Sequence, residues 1–304
     1  MQTLESLKRK IGNAEDVQSV VGAMKVLAIV SIRQFEKSLA SLNDYHRTVE
    51  LGLQTVMQNR PPGMPEILAS SKPATNGMVC AVVFGSEQGL SGQFNERISA
   101  FALEQLDQLD IATENRSFLV LGDHVSYRLK ALHQPVEKRF PIHGSVKQMK
   151  KTIQSLFLYF DEMRQKERCG PIFLFHHKSL SGAHHEPRMT RLFPLDAALF
   201  YEMGKKPWPA RSLPTFTMDW EPLLRSLIRE YLRVTLERSF VESLVSENTS
   251  RLLAMQVAES NVADFLDVLT HEFNEQRQSE ITAEILDIVA GMEAVEKAEY
   301  SSLL

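Results

Sequence analysis

The chain has 304 residues, of which 43 % are hydrophobic and 24 % charged, and its formal net charge is −4. That balance leaves no electrostatic footprint for nucleic acid and argues against a broadly cationic membrane-binding surface. The two cysteines, Cys80 and Cys169, make no disulfide framework, so a reducing compartment is expected.

The opening "MQTLESLKRKIG" lacks the long apolar core of a signal peptide, and no stretch approaches the roughly 18–20 apolar residues that span a bilayer. The first element shows a heptad period. Every seventh residue from Leu7 is apolar: Leu7, Ala14, Val21, Ala28, Phe35, Leu42, Val49 and Val56. The companion series from Leu4 is mostly apolar, through Ile11, Ile32, Leu39 and Leu53, with polar Gln18, Lys25 and His46 interspersed. This is an a/d pattern without proline before Pro61, and it predicts one helix over residues 1–58, part of a coiled coil. At about 1.5 Å per residue such a helix spans roughly 80 Å, too long to pack on one small domain. The polar residues at core positions are read in two ways, as register-setting or as partner contacts.

Proline and glycine then mark a linker over 59–77. From residue 78 to 205 the texture changes to short apolar runs, "MVCAVVF", "SFLVLG" and "PIFLFHH", separated by helical periods. The first period is Ile98, Phe101, Gln105 and Leu109; the second is Val146, Met149, Ile153, Leu156, Phe160 and Met163. "MTRLFPL" (Met189–Leu195) is expected to add an edge strand. The alternation of strand and helix predicts an α/β domain with a Rossmann-like parallel sheet. A second linker covers 206–218, and Asp219 with Pro222 starts a helix over 219–300. No glycine or proline interrupts it between Leu223 and Gly291. The fold class is therefore α/β, with a long antiparallel two-helix coiled coil made by the N- and C-terminal helices.

The end of that last helix is unusual. Seven polar residues, Asn274–Glu280, precede fifteen residues, Ile281–Val295, of which 11 are apolar, alanine or glycine. Chain ends tend to be polar, so this segment needs an apolar partner.

Among chemical candidates, "FGSEQGLSGQFN" places Gly85, Gly89 and Gly92 between a strand and a helix, where a phosphate cradle would sit. The spacing fits neither GxGxxG nor GxxxxGK[ST], and the plainer reading is a tight strand-to-helix turn. An α/β nucleotide-binding enzyme with coiled-coil dimerisation arms remains the alternative, and a homodimer with helices paired between chains is a third. His176, His177, His184 and His185 resemble paired metal ligands, yet neighbours on a strand point to opposite faces. They are expected to be solvent-facing. Asp123-His124 has no nucleophile tied to it and is read as a helix start. No cofactor is expected.

Several blocks in order resemble the gamma subunit of F-type ATP synthases. They are "VVGAMKVLAIVSIRQFEKS", "GLSGQFN", "ESLVSENTSRLLAMQVAESN" and "FNEQRQSEITAEILDIV". The resemblance covers nearly the whole chain. It implies a non-catalytic central shaft that couples rotation of an ion-driven membrane ring to the catalytic β subunits, for ATP synthesis or hydrolysis. The implied partners are the α and β subunits, an epsilon-type subunit and the membrane c-type ring, with no nucleic acid. Membrane association would come only through the complex, at the cytoplasmic face of a bacterial inner membrane.

The resemblance also implies roles for residues. Ile281, Ile285, Ile288, Met292 and Val295 would form a bearing in an apolar sleeve, since apolar contacts pin no single rotational angle. Arg277, Gln278, Thr282 and Glu284 would meet the β subunits near the tip, with Arg251 and Gln256 lower down. Lys8, Arg9, Lys10, Met24 and Lys25 on the facing helix would join them. Directional charge-assisted bonds register an angle where apolar contacts do not. The chain departs from the family at Ser91, where Cys is frequent, at Gln93, where Gly is frequent, and at Glu87-Gln88, where Asp-Arg is common.

Overall fold

A computed structural model describes residues 3–61, 78–142, 146–166, 170–180, 184–209, 211 and 214–302. Its elements in chain order are α1 (Leu4–Gln58), β1 (Val79–Phe84), α2 (Phe94–Gln108), β2 (Arg116–Leu121), α3 (Asp123–Ala131), β3 (Val136–Phe140), α4 (Val146–Gln165), β4 (Ile172–Ser179), β5 (His185–Phe193), α5 (Ala197–Lys205) and α6 (Trp220–Ser302). The two terminal helices, α1 with 55 residues and α6 with 83, are the longest elements. Most of the first expected linker lies outside the described residues. The chain forms two compact units that cut across the expected domains: one is residues 28–254, the other joins Met1–Leu27 to Met255–Leu304.

In the larger unit, five strands lie in the order β3-β2-β1-β4-β5. The first four are parallel, and β5 runs antiparallel to β4. The sheet is therefore mixed, with the expected edge strand beginning earlier, at His185. The chain steps from β1 outward to β2 and β3 with α2 and α3 on one face. It then returns past β1 to β4 with α4 on the other face, as a uniform crossover hand requires. Burial on both faces explains the unbroken apolar runs. In β1, Val79, Ala81 and Val83 pack with Ile98, Ala102 and Leu106 of α2 and Val125 and Leu129 of α3. Cys80, Val82 and Phe84 point the opposite way, into Met149, Ile153, Leu156 and Phe160 of α4.

That second face also receives α6. Leu236, Phe240, Val241, Leu244 and Val245 join the α4 cluster, with Phe35 of α1. Every residue from Ser239 to Asn248 is buried, so this stretch of α6 is enclosed all round. Val49, Leu53 and Val56 of α1 pack with Phe200 of α5 and Trp220 and Leu224 of α6. The Trp220 indole donates to the carbonyl of Val56, 2.7 Å away, one of the last-turn carbonyls of α1 that lack a helical partner.

Two sequence expectations change here. The α2 face that packs is Phe94, Ile98, Ala102 and Leu106, while Leu109 is exposed, because the helix starts at Phe94 and ends at Gln108. Strand β3, "VEKRF", escapes the apolar-run criterion because it is an edge strand whose Glu137, Lys138 and Arg139 face water.

In the smaller unit, Leu7, Ala14 and Leu269 are buried together with Ile11, Leu266 and Phe273. Lys25 pairs with Glu259 at 2.5 Å. Rising numbers on α1 thus meet falling numbers on α6, the antiparallel pairing of a two-helix coil. The full row from Leu7 to Val56 is buried except Leu42, which is half-buried.

Candidate functional site

The strongest chemical candidate in the sequence was the turn that carries Gly85, Gly89 and Gly92. The structure fills it with protein. Asn95 at the start of α2 accepts from the Ser86 amide at 3.0 Å and donates to the Ser86 hydroxyl at 2.8 Å. The Gly85 amide bonds Leu121, and the Ser86 carbonyl accepts from the His124 amide. A Cβ on Gly85 would lie 2.3 Å from a Val125 methyl, and one on Gly122 (φ +94°) would lie 2.5 Å from the Ser86 carbonyl. These glycines allow close chain packing between β1, β2 and α3. The amides of Gly85 and Ser86 that a phosphate would use are committed to the protein, so the tight-turn reading stands.

The far side of the same turn is held by α6. Arg251 is 5 % exposed. Its guanidinium bonds Glu247 at 2.6 Å and Asn248 at 3.0 Å, both on its own helix. It also reaches the carbonyls of Gln88 and Gly89, each at 3.4 Å. Ser250 donates to the carbonyl of Ser91 at 2.6 Å. Burial raises the Glu247 carboxyl above its ordinary range, and Arg251 opposes that rise. The expectation that Arg251 faces a partner is therefore corrected: its charge is spent inside the chain. Motif position gave its place on the helix but not its depth.

The four histidines do not form a metal site. Among the described residues there is no group of three or more His, Cys, Asp or Glu side chains that could hold a metal ion. Contrary to expectation, His176 and His177 are buried. They lie on β4, and each points to a different covered face of the sheet. His176 lies 3.5 Å from Glu242 and 3.4 Å from Thr190, beside Phe84. His177 contacts the Phe94 carbonyl at 3.0 Å and stacks on the Phe94 ring. Burial lowers the first to about 4 and the second to about 3. The apolar "IFL" before them was the signal that this strand is covered on both sides.

The remaining expected residues are on the surface of the smaller unit. Lys8, Arg9 and Lys10 are exposed on the first turns of α1, and Gln256 is exposed on α6. Met24 and Lys25 are half-buried, and Lys25 is paired with Glu259. From Arg277 to Met292 every residue of α6 is exposed, including Gln278, Thr282 and Glu284. Ile281, Ile285, Ile288 and Met292 are between 45 and 69 % exposed, as are Leu286 and Val289, which the four-and-three spacing had omitted. Val295 lies within α6, but its side chain is outside the described ones. Among the described residues, no helix is long and apolar enough to cross a membrane.

Comparison with known proteins agrees with this architecture. A family model described as ATP synthase matches residues 3–295. The ATP synthase gamma chain of Acetivibrio thermocellus is 24 % identical over 302 residues, covering 97 % of this chain and 100 % of the relative. That of Rhizorhabdus wittichii is 25 % identical over 305 residues, with the same coverage. The fold resembles a chain in the OSCP/F1/c-ring structure of Euglena gracilis mitochondrial ATP synthase, with a TM-score of 0.67 at 11 % identity, covering 97 % of this chain and 95 % of that one. It also resembles a chain of the Tetrahymena thermophila central stalk and c-ring, with a TM-score of 0.52 at 15 % identity, covering 79 % and 99 %. The chain belongs to the ATP synthase family, as a gamma chain, a subunit that carries no catalytic site of its own.

Proposed function

We propose that this gamma chain is the central shaft of its complex and that three parts of its surface do the coupling. The end of α6 is a bearing, formed by Ile281, Ile285, Ile288, Met292 and Val295 and seated in an apolar sleeve of the α and β subunits. A polar set below it, Arg277, Gln278, Thr282 and Glu284, together with Gln256, Lys8, Arg9, Lys10, Met24 and Lys25, meets the β subunits in turn. The α/β domain is held by an epsilon-type subunit and the c-type ring. The complex sits on the cytoplasmic face of a bacterial inner membrane, in line with the bacterial relatives. Ion flow turns the ring, the shaft turns with it, and each β subunit is driven through different nucleotide affinities because it meets a different face of the shaft in each state.

The observation that carries this reading is the bare apolar helix end. Six large side chains there are at least 45 % exposed. Covering them is worth on the order of 6 kcal/mol, at about half of the roughly 2 kcal/mol each for full burial. Non-directional contacts give that stabilisation at any angle. Deleting Ile281–Leu304 in the assembled complex is expected to weaken seating of the shaft and ion pumping, while the α/β domain keeps its fold. Full pumping by the truncated complex would remove the bearing assignment.

A further inference from the structure

We propose that Arg251 and Ser250 are positioning residues that bolt the Gly85–Gly92 turn to α6, so that the α/β domain and the helix move as one body under torque. The inference rests on the shaft reading above and concerns a joint inside the chain, not a contact with another subunit.

The contact between α6 and the sheet is mostly apolar, through Phe240, Val241, Leu244 and Val245. Such contacts resist separation but set no angle. The turn supplies directional bonds at one end of this interface. Three of its carbonyls, those of Gln88, Gly89 and Ser91, accept from two adjacent α6 side chains. A guanidinium fork fixes orientation as well as distance. Arg251 is itself held by Glu247 and Asn248, so the fork is preset.

The turn is fastened equally firmly on its other side. Asn95 grips Ser86, and the Glu87 carboxylate accepts from the Ile142 amide at 3.3 Å and lies 3.7 Å from Arg139, which pairs with Asp123. Residues 86–91 are thus a bridge with one foot on β3 and α3 and the other on α6. Removing the guanidinium would free the α6 foot and leave Glu247 as a buried, uncompensated acid.

The test uses the whole ATP synthase complex. Arg251→Ala removes both guanidinium contacts to the turn, so it is expected to speed amide exchange across Gln88–Gly92 by about tenfold or more. Ions pumped per ATP hydrolysed should fall while hydrolysis continues, because torque is lost at the joint. Ser250→Ala should move both readings the same way by less, and it takes over as the test if the Arg251→Ala complex does not assemble. The decisive arm is a covalent replacement. A Cβ on residue 92 would lie 3.8 Å from the Ala254 Cβ, matching the mean disulfide separation of about 3.8 Å. Gly92→Cys with Ala254→Cys, oxidised in the Arg251→Ala background, should restore pumping per ATP relative to the same chain reduced, which carries the same strain at residue 92 (φ +58°), and reduction should abolish the rescue. A contact with a neighbouring subunit would not be replaced by a bond inside this chain. Unchanged exchange in Arg251→Ala, or a formed disulfide that restores nothing, overturns the bolt. A wild-type complex that pumps no ions overturns the shaft reading instead.

Discussion

The two buried histidines of β4 predict an acid-sensitive fold. His176 faces Glu242 and Arg238 of α6 and Arg188 of β5; His177 faces His185 of β5 and Arg97 of α2. Burial is the largest influence on both, and it holds them neutral, with pKa values of about 4 and about 3 against 6.5 in a solvated chain. Between pH 6.5 and 4 the unfolded chain therefore binds more protons than the folded one. Stability is complete above about 6.5 and falls as the pH drops, at up to about 1.4 kcal/mol per pH unit for each histidine. At pH 5 each has removed roughly 2 kcal/mol, and His176 alone removes about 3 kcal/mol by pH 4, a large share of a net stability of about 5–15 kcal/mol. The assay is the unfolding midpoint of the purified chain at several pH values, followed by circular dichroism. His177→Gln keeps a donor for the Phe94 carbonyl and removes one titration, so its pH slope should be shallower than that of the wild type, with His176, His46 and His185 still contributing. Equal slopes over pH 6–4.5 would refute the assignment of acid lability to these side chains.

Other substitutions test the packing more simply. Gly122→Ala forces a side chain to within 2.5 Å of the Ser86 carbonyl at a left-handed backbone position, and should cost about 3 kcal/mol or more, seen as a lowered thermal midpoint. Lys25→Ala removes the pair with Glu259, whose side chains are 28 and 41 % exposed, so it should change stability by less than about 1 kcal/mol, with the difference shrinking at high salt.

The parts of the fold that were legible in the sequence are those in which one physical demand dominates. The row from Leu7 to Val56 has to be buried against something along its whole length, so its period survives in the sequence. The runs at β1 and β2 are unbroken because both faces of the sheet are covered. Strand β3 was hidden for the opposite reason. Its position is set by backbone pairing to β2, which places no apolar demand on Glu137, Lys138 or Arg139. The histidines misled because residue type was weighed above neighbourhood. Arg251 misled because a motif fixes sequence position, whereas depth depends on which chain folds over it, here a turn some 160 residues away. The apolar helix end was read correctly as greasy, and its exposure follows from finding no cover within the described chain.

The charged outer edge of β3 has a bearing on the life of the subunit before it is built into anything. A newly made copy displays an oily helix end, and an open sheet margin would let strays zip together strand upon strand. Glu137, Lys138 and Arg139 keep that margin charged and wet, which disfavours adding a further strand. At that margin the newly made protein is guarded, and the apolar helix end is left for the collar it is waiting for.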